Sequence, residues 1–326
     1  MNLLRTNYAF KKDPYGSIHS IYGSISSSTG GLKFGYEGTF VKALRPFDFI
    51  LEANAFTPSH VNNFFGQGNN TEQTTEDRSF NRIRKSYAKL SPKLGLSFAS
   101  RNGLFAFGPL LEYNNIELTA DRFIAENNLN LPAYTFEGQL FGGFEATFDF
   151  HNLDDSMNPK SGVKFNTEWS YKRQFEQSLN SQFLSSDLSL YFPLSSSKKI
   201  VLATKFGFER AFGDFQFFQA ARLGNKLNFR GVRVDRFTGR SSIFHNTDLR
   251  IKLLSVNRSF IPFSLGIHGG FDYGRISTES EDLNDDFHTS YGGGIWIAPL
   301  DFLLLSADYF TSDDDSIIGL RLGFSF

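Results

Sequence analysis

Residues 224–254 read GNKLNFRGVRVDRFTGRSSIFHNTDLRIKLL, and two kinds of pattern meet within them. The first half is polar and punctuated by glycine, and with Arg222 just before it the segment carries Arg230, Arg233, Arg236 and Arg240. The second half alternates large apolar with polar or charged residues, the period of a β-strand with two different faces. Five arginines this close together require anionic partners. A nucleic acid would supply phosphate, but the flanking strands, apolar on one face and charged on the other, suggest the water-filled lumen of a barrel instead.

Composition supports the same reading. The chain of 326 residues has 39 Phe, 12 Tyr and 29 Gly, only 2 Met, no Cys and a formal charge of -1. Absence of cysteine excludes a disulfide framework and thiolate metal sites, and the near-neutral charge gives no sign of a nucleic-acid partner. Aromatic and glycine enrichment beside a mean hydropathy of -0.27 fits membrane-crossing strands with rings on their outer face. No apolar run approaches the ~18–20 residues of a transmembrane helix. Residues 1–5 (MNLLR) lack an apolar secretion core, so the sequence reads as an excised barrel module or mature fragment.

Alternation recurs along the chain. In 31–42, Leu32, Phe34, Tyr36 and Phe40 share one face, and Lys33, Glu37 and Thr39 the other. The clearest case is 134–150, with Tyr134, Phe136, Leu140, Phe144, Ala146, Phe148 and Phe150 outward and Thr135, Glu137, Gln139, Glu145, Thr147 and Asp149 inward. Short turns, such as Ser28-Thr29-Gly30 and 100–102, alternate with the long polar insertions 57–81 and 119–133. After the arginine-rich segment, strands are expected at 242–254, 260–276, 290–298, 302–310 and 316–326. About nine strands precede that segment and about five follow it. The outward set, extended to Phe165, Trp169, Leu249, Ile251, Leu320, Leu322 and Phe324, should meet lipid. Lys164, Glu168, Asp248, Arg250, Asp272 and Arg321 should face inward with Glu137 and Glu145.

Four motifs occur in order: Phe229-Arg230-Gly231-Val232; Gly269-Gly270-Phe271-Asp272-Tyr273-Gly274; Tyr291-Gly292-Gly293-Gly294 continuing to Pro299; and a terminal alternation ending in Phe324 and Phe326. Together with the Asp-rich turn at 154–162 they resemble the BamA/TamA/FhaC superfamily of outer-membrane barrels. The resemblance is specific from about Asp154 to Phe326 and looser before it. It implies an all-β fold, a transmembrane antiparallel β-barrel of 14–16 strands with a long arginine-containing extracellular loop, 214–241, folded into the lumen. Residues 1–16 would be a lead-in or the remnant of a preceding strand, and the whole of 1–326 the barrel. Sixteen strands would place eleven before the loop, more than the pattern supplies.

The resemblance further implies that Arg230 folds back and pairs with Asp272. Physics favours this, because a guanidinium offers a planar fork to a carboxylate and Gly231 lets the loop tip turn. In a wet lumen such a pair contributes ~1–3 kcal/mol. Arg233 and Arg236 would find Glu145, Glu168 or Glu209. Phe324 and Phe326 resemble the terminal signal by which barrels are recognised for insertion, although Arg321 stands where that pattern prefers glycine.

No H-E-x-x-H, G-x-S-x-G or phosphate-loop pattern is present, so no enzyme activity, cofactor or metal is expected. Gly66-x-Gly68 reads as a turn, and Glu137, Glu145 and Asp149 as a solvated lumen face rather than a metal cluster. By resemblance, the chain would be a multi-pass protein of the outer membrane that inserts or translocates other proteins through a seam between its first and last strands. Its partners would be outer-membrane lipid and client outer-membrane or secreted proteins, with no nucleic acid. The alternatives are a barrel that anchors or exports an upstream soluble hydrolase domain absent from this chain, and a passive pore, which leaves the arginine loop unexplained.

Overall fold

The computed structural model describes residues 2–26, 30–59, 62–73, 77–126, 129–225, 227–257, 261–281, 283, 286–300 and 303–326. Ser28, Thr29, His60 and the expected strand starts at Phe260 and Phe302 lie outside the described residues.

In chain order the strands are β1 (Asn2–Asn7), β2 (Ser17–Ile25), β3 (Leu32–Leu44), β4 (Phe47–Phe56), β5 (Asn62–Asn63), β6 (Arg82–Phe98), β7 (Gly103–Glu117), β8 (Gln139–Leu153), β9 (Gly162–Gln174) and β10 (Asn180–Pro193). There follow β11 (Ile200–Gly213), β12 (Ala221–Leu223), β13 (Phe237–Gly239), β14 (Ser241–Val256), β15 (Phe263–Ser277), β16 (His288–Pro299), β17 (Leu305–Ser312) and β18 (Ser316–Leu322). Sixteen of them form one sheet, a path of antiparallel neighbours from β1 to β18 with the short β5 attached to β6 alone. β12 and β13 form a separate hairpin. Ten strands of the path precede that hairpin and five follow it. The extra strand relative to the sequence pattern is β1, which pairs with β2 from Asn2↔Tyr22 to Asn7↔Ser17.

The sheet curls until distant strands meet. Asn69, in the loop leaving β4, donates through Nδ2 to the carbonyl of Ile276 on β15 (3.0 Å), and Gln73 of the same loop donates to the carbonyl of Asp314 between β17 and β18 (3.4 Å). Among the described residues no register joins β1 to β18.

Period-two alternation sets the two faces. Glu145, Asp248, Arg250 and Asp272 point inward and are almost fully buried, while Phe144, Leu249, Leu320 and Leu322 stand exposed on the outer wall. Inside, charges pair across strands: Lys93 on β6 bonds Glu52 on β4 (2.6 Å) and Glu145 on β8 (2.9 Å), Lys89 also bonds Glu145, and Lys172 bonds Glu112 (2.7 Å). Tight turns close the opposite rim. Asp154 accepts from the Lys160 and Ser161 amides (2.9 and 3.0 Å) and pairs with Lys198 (3.0 Å). Burial works to raise its pKa, but these donors prevail and hold it at about 2. The turn's contribution is therefore complete above the ordinary aspartate value and lost as pH falls through about 2.

Two expectations fail. Residues 133–136 form a 3₁₀ turn rather than strand, and β8 begins only at Gln139. Pro132 starts the turn, its carbonyl accepting from Thr135 N–H (2.9 Å). Phe136 is drawn onto an internal cluster containing Phe64, Phe141 and Phe217, and Glu137 is exposed at the turn's end. Phe324 also leaves the outer wall. Gly323 takes φ +93°, β18 has already ended at Leu322, and Phe324 packs against Trp296, Ala298 and Leu304.

Leu249 lies mid-strand on the outer face, so Leu249→Arg should destabilise the barrel in lipid by about 2–4 kcal/mol. The same change at Thr147, which lines an inner cavity beside Asp149, Glu168 and Asp187, should cost less. Urea unfolding in vesicles measures both, and an equal cost at the two positions would contradict the assignment of faces.

Candidate functional site

The loop between β11 and β14 returns into the barrel as the β12–β13 hairpin, registered from Ala221↔Gly239 to Leu223↔Phe237. Its tip is ordered by Asn228, whose Oδ1 accepts from the amides of Gly224 (3.2 Å) and Asn225 (3.1 Å) and whose Nδ2 donates to the Arg222 carbonyl (2.8 Å). Asn246 of β14 donates to the Asn228 carbonyl (2.9 Å), tying tip to wall. Phe229 and Val232 enter an apolar cluster with Leu223, Phe237, Phe244 and Ile276. Arg230 therefore emerges between two anchored side chains.

Its guanidinium meets two carboxylates. Nε donates to Asp272 Oδ2 (2.8 Å), Nη2 to Asp272 Oδ1 (2.5 Å), Nη1 to Asp248 Oδ1 (2.8 Å), and the backbone N–H to Asp272 Oδ2 (3.0 Å). The ring of Phe310 lies 3.9 Å from the guanidinium carbon. Arg230 is 3 % exposed and Asp272 0 %. The pair is thus dry, not the solvated contact expected, and leaving one partner alone costs about 3–5 kcal/mol rather than ~1–3.

Two glycines make room. A Cβ on Gly270, opposite Asp248 in the β14–β15 register, would fall 2.7 Å from Arg230 Nη2. Gly231 takes φ +79°, and its carbonyl accepts from Ser312 Oγ (3.0 Å).

A second arginine lies behind the first. Arg250 approaches Asp248 Oδ2 (3.7 Å), covers the Phe324 ring at 3.9 Å and donates to the Phe326 carbonyl (2.5 Å). The latter two contacts bring Phe324 and Phe326 inside, against the site. Arg321 pairs with Asp308 (3.1 Å) just beyond. Asp248, Arg250 and Phe310 were not singled out as site residues from sequence. The signal was the inward D-x-R spacing of Asp248 and Arg250 on the first strand after the loop.

The remaining loop arginines have other partners than those expected. Arg233 approaches Asp315 (3.7 Å), and Arg236 pairs with Asp314 (2.9 Å) and donates to the hydroxyl and carbonyl of Thr71 (both 2.6 Å). Glu145 is occupied by Lys89 and Lys93, Glu168 lies 4.0 Å from Lys89, and Glu209 accepts from the Arg222 amide (3.1 Å). The cause is geometric. The hairpin packs on β14 and β15, Leu223 and Phe237 meeting Phe244 and Ile276, and the tip reaches Ser312 at the end of β17, which carries Arg233 and Arg236 to the turn between β17 and β18. Among the described residues no group of three or more His, Cys, Asp or Glu side chains is placed to hold a metal ion.

No family model and no curated protein matches the chain. Among solved structures it is similar to BamA from Haemophilus ducreyi lacking POTRA domains 1–3, with 14 % identity over 94 % of this chain and 65 % of that one and a TM-score of 0.65. CdiB from Escherichia coli (11 %, 99 % and 62 %, TM-score 0.53) and CdiB from Acinetobacter baumannii (10 %, 94 % and 53 %, TM-score 0.56) are also similar. The chain thus spans just over half to about two thirds of the length of each. The molecule is an all-β, outer-membrane-type barrel with a loop folded into its lumen. More narrowly, its fold is that of the BamA and CdiB barrels.

Arg230→Ala strands Asp248 and Asp272, and should destabilise the loop by about 3–5 kcal/mol while the barrel still folds. Trypsin should then cut at Arg233 or Arg240 much faster than in the parent protein, with heat-modifiable mobility on gels retained. Gly270→Val should act the same way by displacing the guanidinium. Unchanged cleavage in both variants would show that the ion pair does not hold the loop.

Proposed function

We propose that this protein is a multi-pass outer-membrane barrel that inserts or translocates client proteins through the seam between β1 and β18, with the arginine loop latched inside as part of that machinery. The observation that carries the reading is the buried pairing of Arg230 with Asp272 and Asp248, in a barrel of this fold. A passive pore gains nothing from a loop fixed in its lumen at the cost of dehydrating a charge.

The edge supports the same reading. β18 has 7 residues and β1 has 6, whereas the interior strands β14 and β15 have 16 and 15. Short edge strands hold few ladder bonds, so opening such a seam is cheap and leaves unpaired N–H and C=O groups as a template for a client strand. Ile318, Leu320 and Leu322 give β18 a strongly apolar outer row, suited to a strand that meets lipid beside the opening. No bond is made or broken in this process, so no catalytic group is required. The partners are outer-membrane lipid and client outer-membrane or secreted proteins, and an upstream soluble domain could present the clients.

The chain contains no cysteine, which makes a crosslinking test clean. A disulfide engineered between β1 and β18, verified by its gel shift, should abolish client assembly in reconstituted vesicles, and reduction should restore it. Full assembly under a complete crosslink would overturn the seam mechanism and favour a barrel that anchors or exports a soluble domain.

A further inference from the structure

Away from the latch, between the inner wall and the start of the inserted loop, lies a cavity of about 470 Å³. That is within the usual range of small-molecule sites, ~300–1,000 Å³. Its lining carries five cationic side chains, Lys33, Lys85, Lys89, Lys172 and Arg222, against two carboxylates, Glu112 and Glu168. The carboxylates are already served: Glu112 by Lys172 at 2.7 Å and Glu168 by Lys89 at 4.0 Å. Arg222 has Asp235 at 3.1 Å.

Lys85 has no such partner. It is 8 % exposed, and among the described residues it meets the rings of Tyr87 (5.1 Å) and Phe218 (4.9 Å) but no carboxylate within ion-pair distance. A buried ammonium costs stability unless an anion accompanies it. The aromatic faces supply part of the compensation, and they also offer flat apolar surface next to the charge. Phe56, stacked on Tyr87 at 4.9 Å, extends that surface. Lys33 contributes a second cation whose only described neighbour of this kind is the Tyr22 ring (5.9 Å).

We infer that this cavity binds a small organic anion, specifically a phosphorylated sugar, with Lys85 receiving the phosphate and the Tyr87 and Phe218 rings packing on the sugar's C–H face. The ligand is a soluble molecule entering from the lumen, because the strands that line the cavity are paired with their neighbours at the cavity's own level, through Tyr22↔Gly35, Lys33↔Phe56, Phe56↔Tyr87, Lys85↔Ile116, Glu112↔Phe141 and Lys172↔Ser181, and leave no gap there through which a lipid headgroup could reach inward. This inference is independent of the client-assembly reading.

The test is titration calorimetry of the full chain in detergent at low salt, with glucose 6-phosphate, inorganic phosphate and unphosphorylated glucose as probes. Glucose 6-phosphate should bind, phosphate more weakly and glucose not at all. Lys85→Gln should lose about tenfold or more in affinity while gaining stability without ligand, since it removes an unpaired buried charge. Lys85→Arg should retain binding, and Lys199→Gln, at the opposite rim, should behave as the parent. Lys33→Gln, with its weaker expected loss, gives a second reading if Lys85→Gln fails to fold. Absence of glucose 6-phosphate binding in the parent protein, equal binding by Lys85→Gln, or equal binding of glucose would each overturn the inference.

Discussion

The structure depends on one constraint: a guanidinium taken out of water must be surrounded by acceptors and opposite charge. Arg230 satisfies it with Asp272 on β15 and Asp248 on β14, two positions that alternate onto the same inner face only in the observed register. A slip of one residue in either strand would turn its aspartate onto the outer wall. The same demand explains the absence of a side chain at Gly270 and the positive φ of Gly231. The loop's entry is set by apolar burial of Phe229 and Val232, and the electrostatic pairing then fixes its depth and direction.

The latch also joins the loop to the end of the sheet. Phe310 of β17 stacks on Arg230, Ser312 bonds the Gly231 carbonyl, and Arg250 holds the Phe326 carbonyl while sharing Asp248 with Arg230. Movement of the last two strands would disturb contacts that the loop requires, and the reverse is equally true. In the proposed function this is the physical link between an edge that opens and a loop that stays inside. On the far wall the lysine and glutamate pairs of β4 to β9 neutralise one another, apart from Lys85.

Much of the wall was legible because the strand period writes itself into the residues. Glu145, Asp248 and Asp272 were placed inward, and Phe144, Leu249 and Leu320 outward, from alternation alone. What alternation cannot report is where a strand stops. Tyr134 to Phe136 continue the pattern, yet Pro132 and the pull of the Phe64 cluster turn them into a 3₁₀ segment. Phe324 continues it too, until Gly323 redirects the chain inward. The partners of Arg233 and Arg236 were illegible for a different reason. They depend on which way the hairpin leans, a consequence of packing among residues more than 70 positions apart in sequence. The dryness of the Arg230 site was equally hidden, since composition gives a lumen face its polarity but not its water content.

The central claim is that Arg230 and Asp272 act as one unit. A double-mutant cycle of Arg230→Gln and Asp272→Asn, read by denaturant unfolding of the lipid-reconstituted barrel and by protease release of the loop, tests it most directly. The account predicts strong non-additivity, with a coupling energy of at least ~1.5 kcal/mol of the kind measured for close charge pairs. Additive single losses, within ~0.5 kcal/mol, would contradict it.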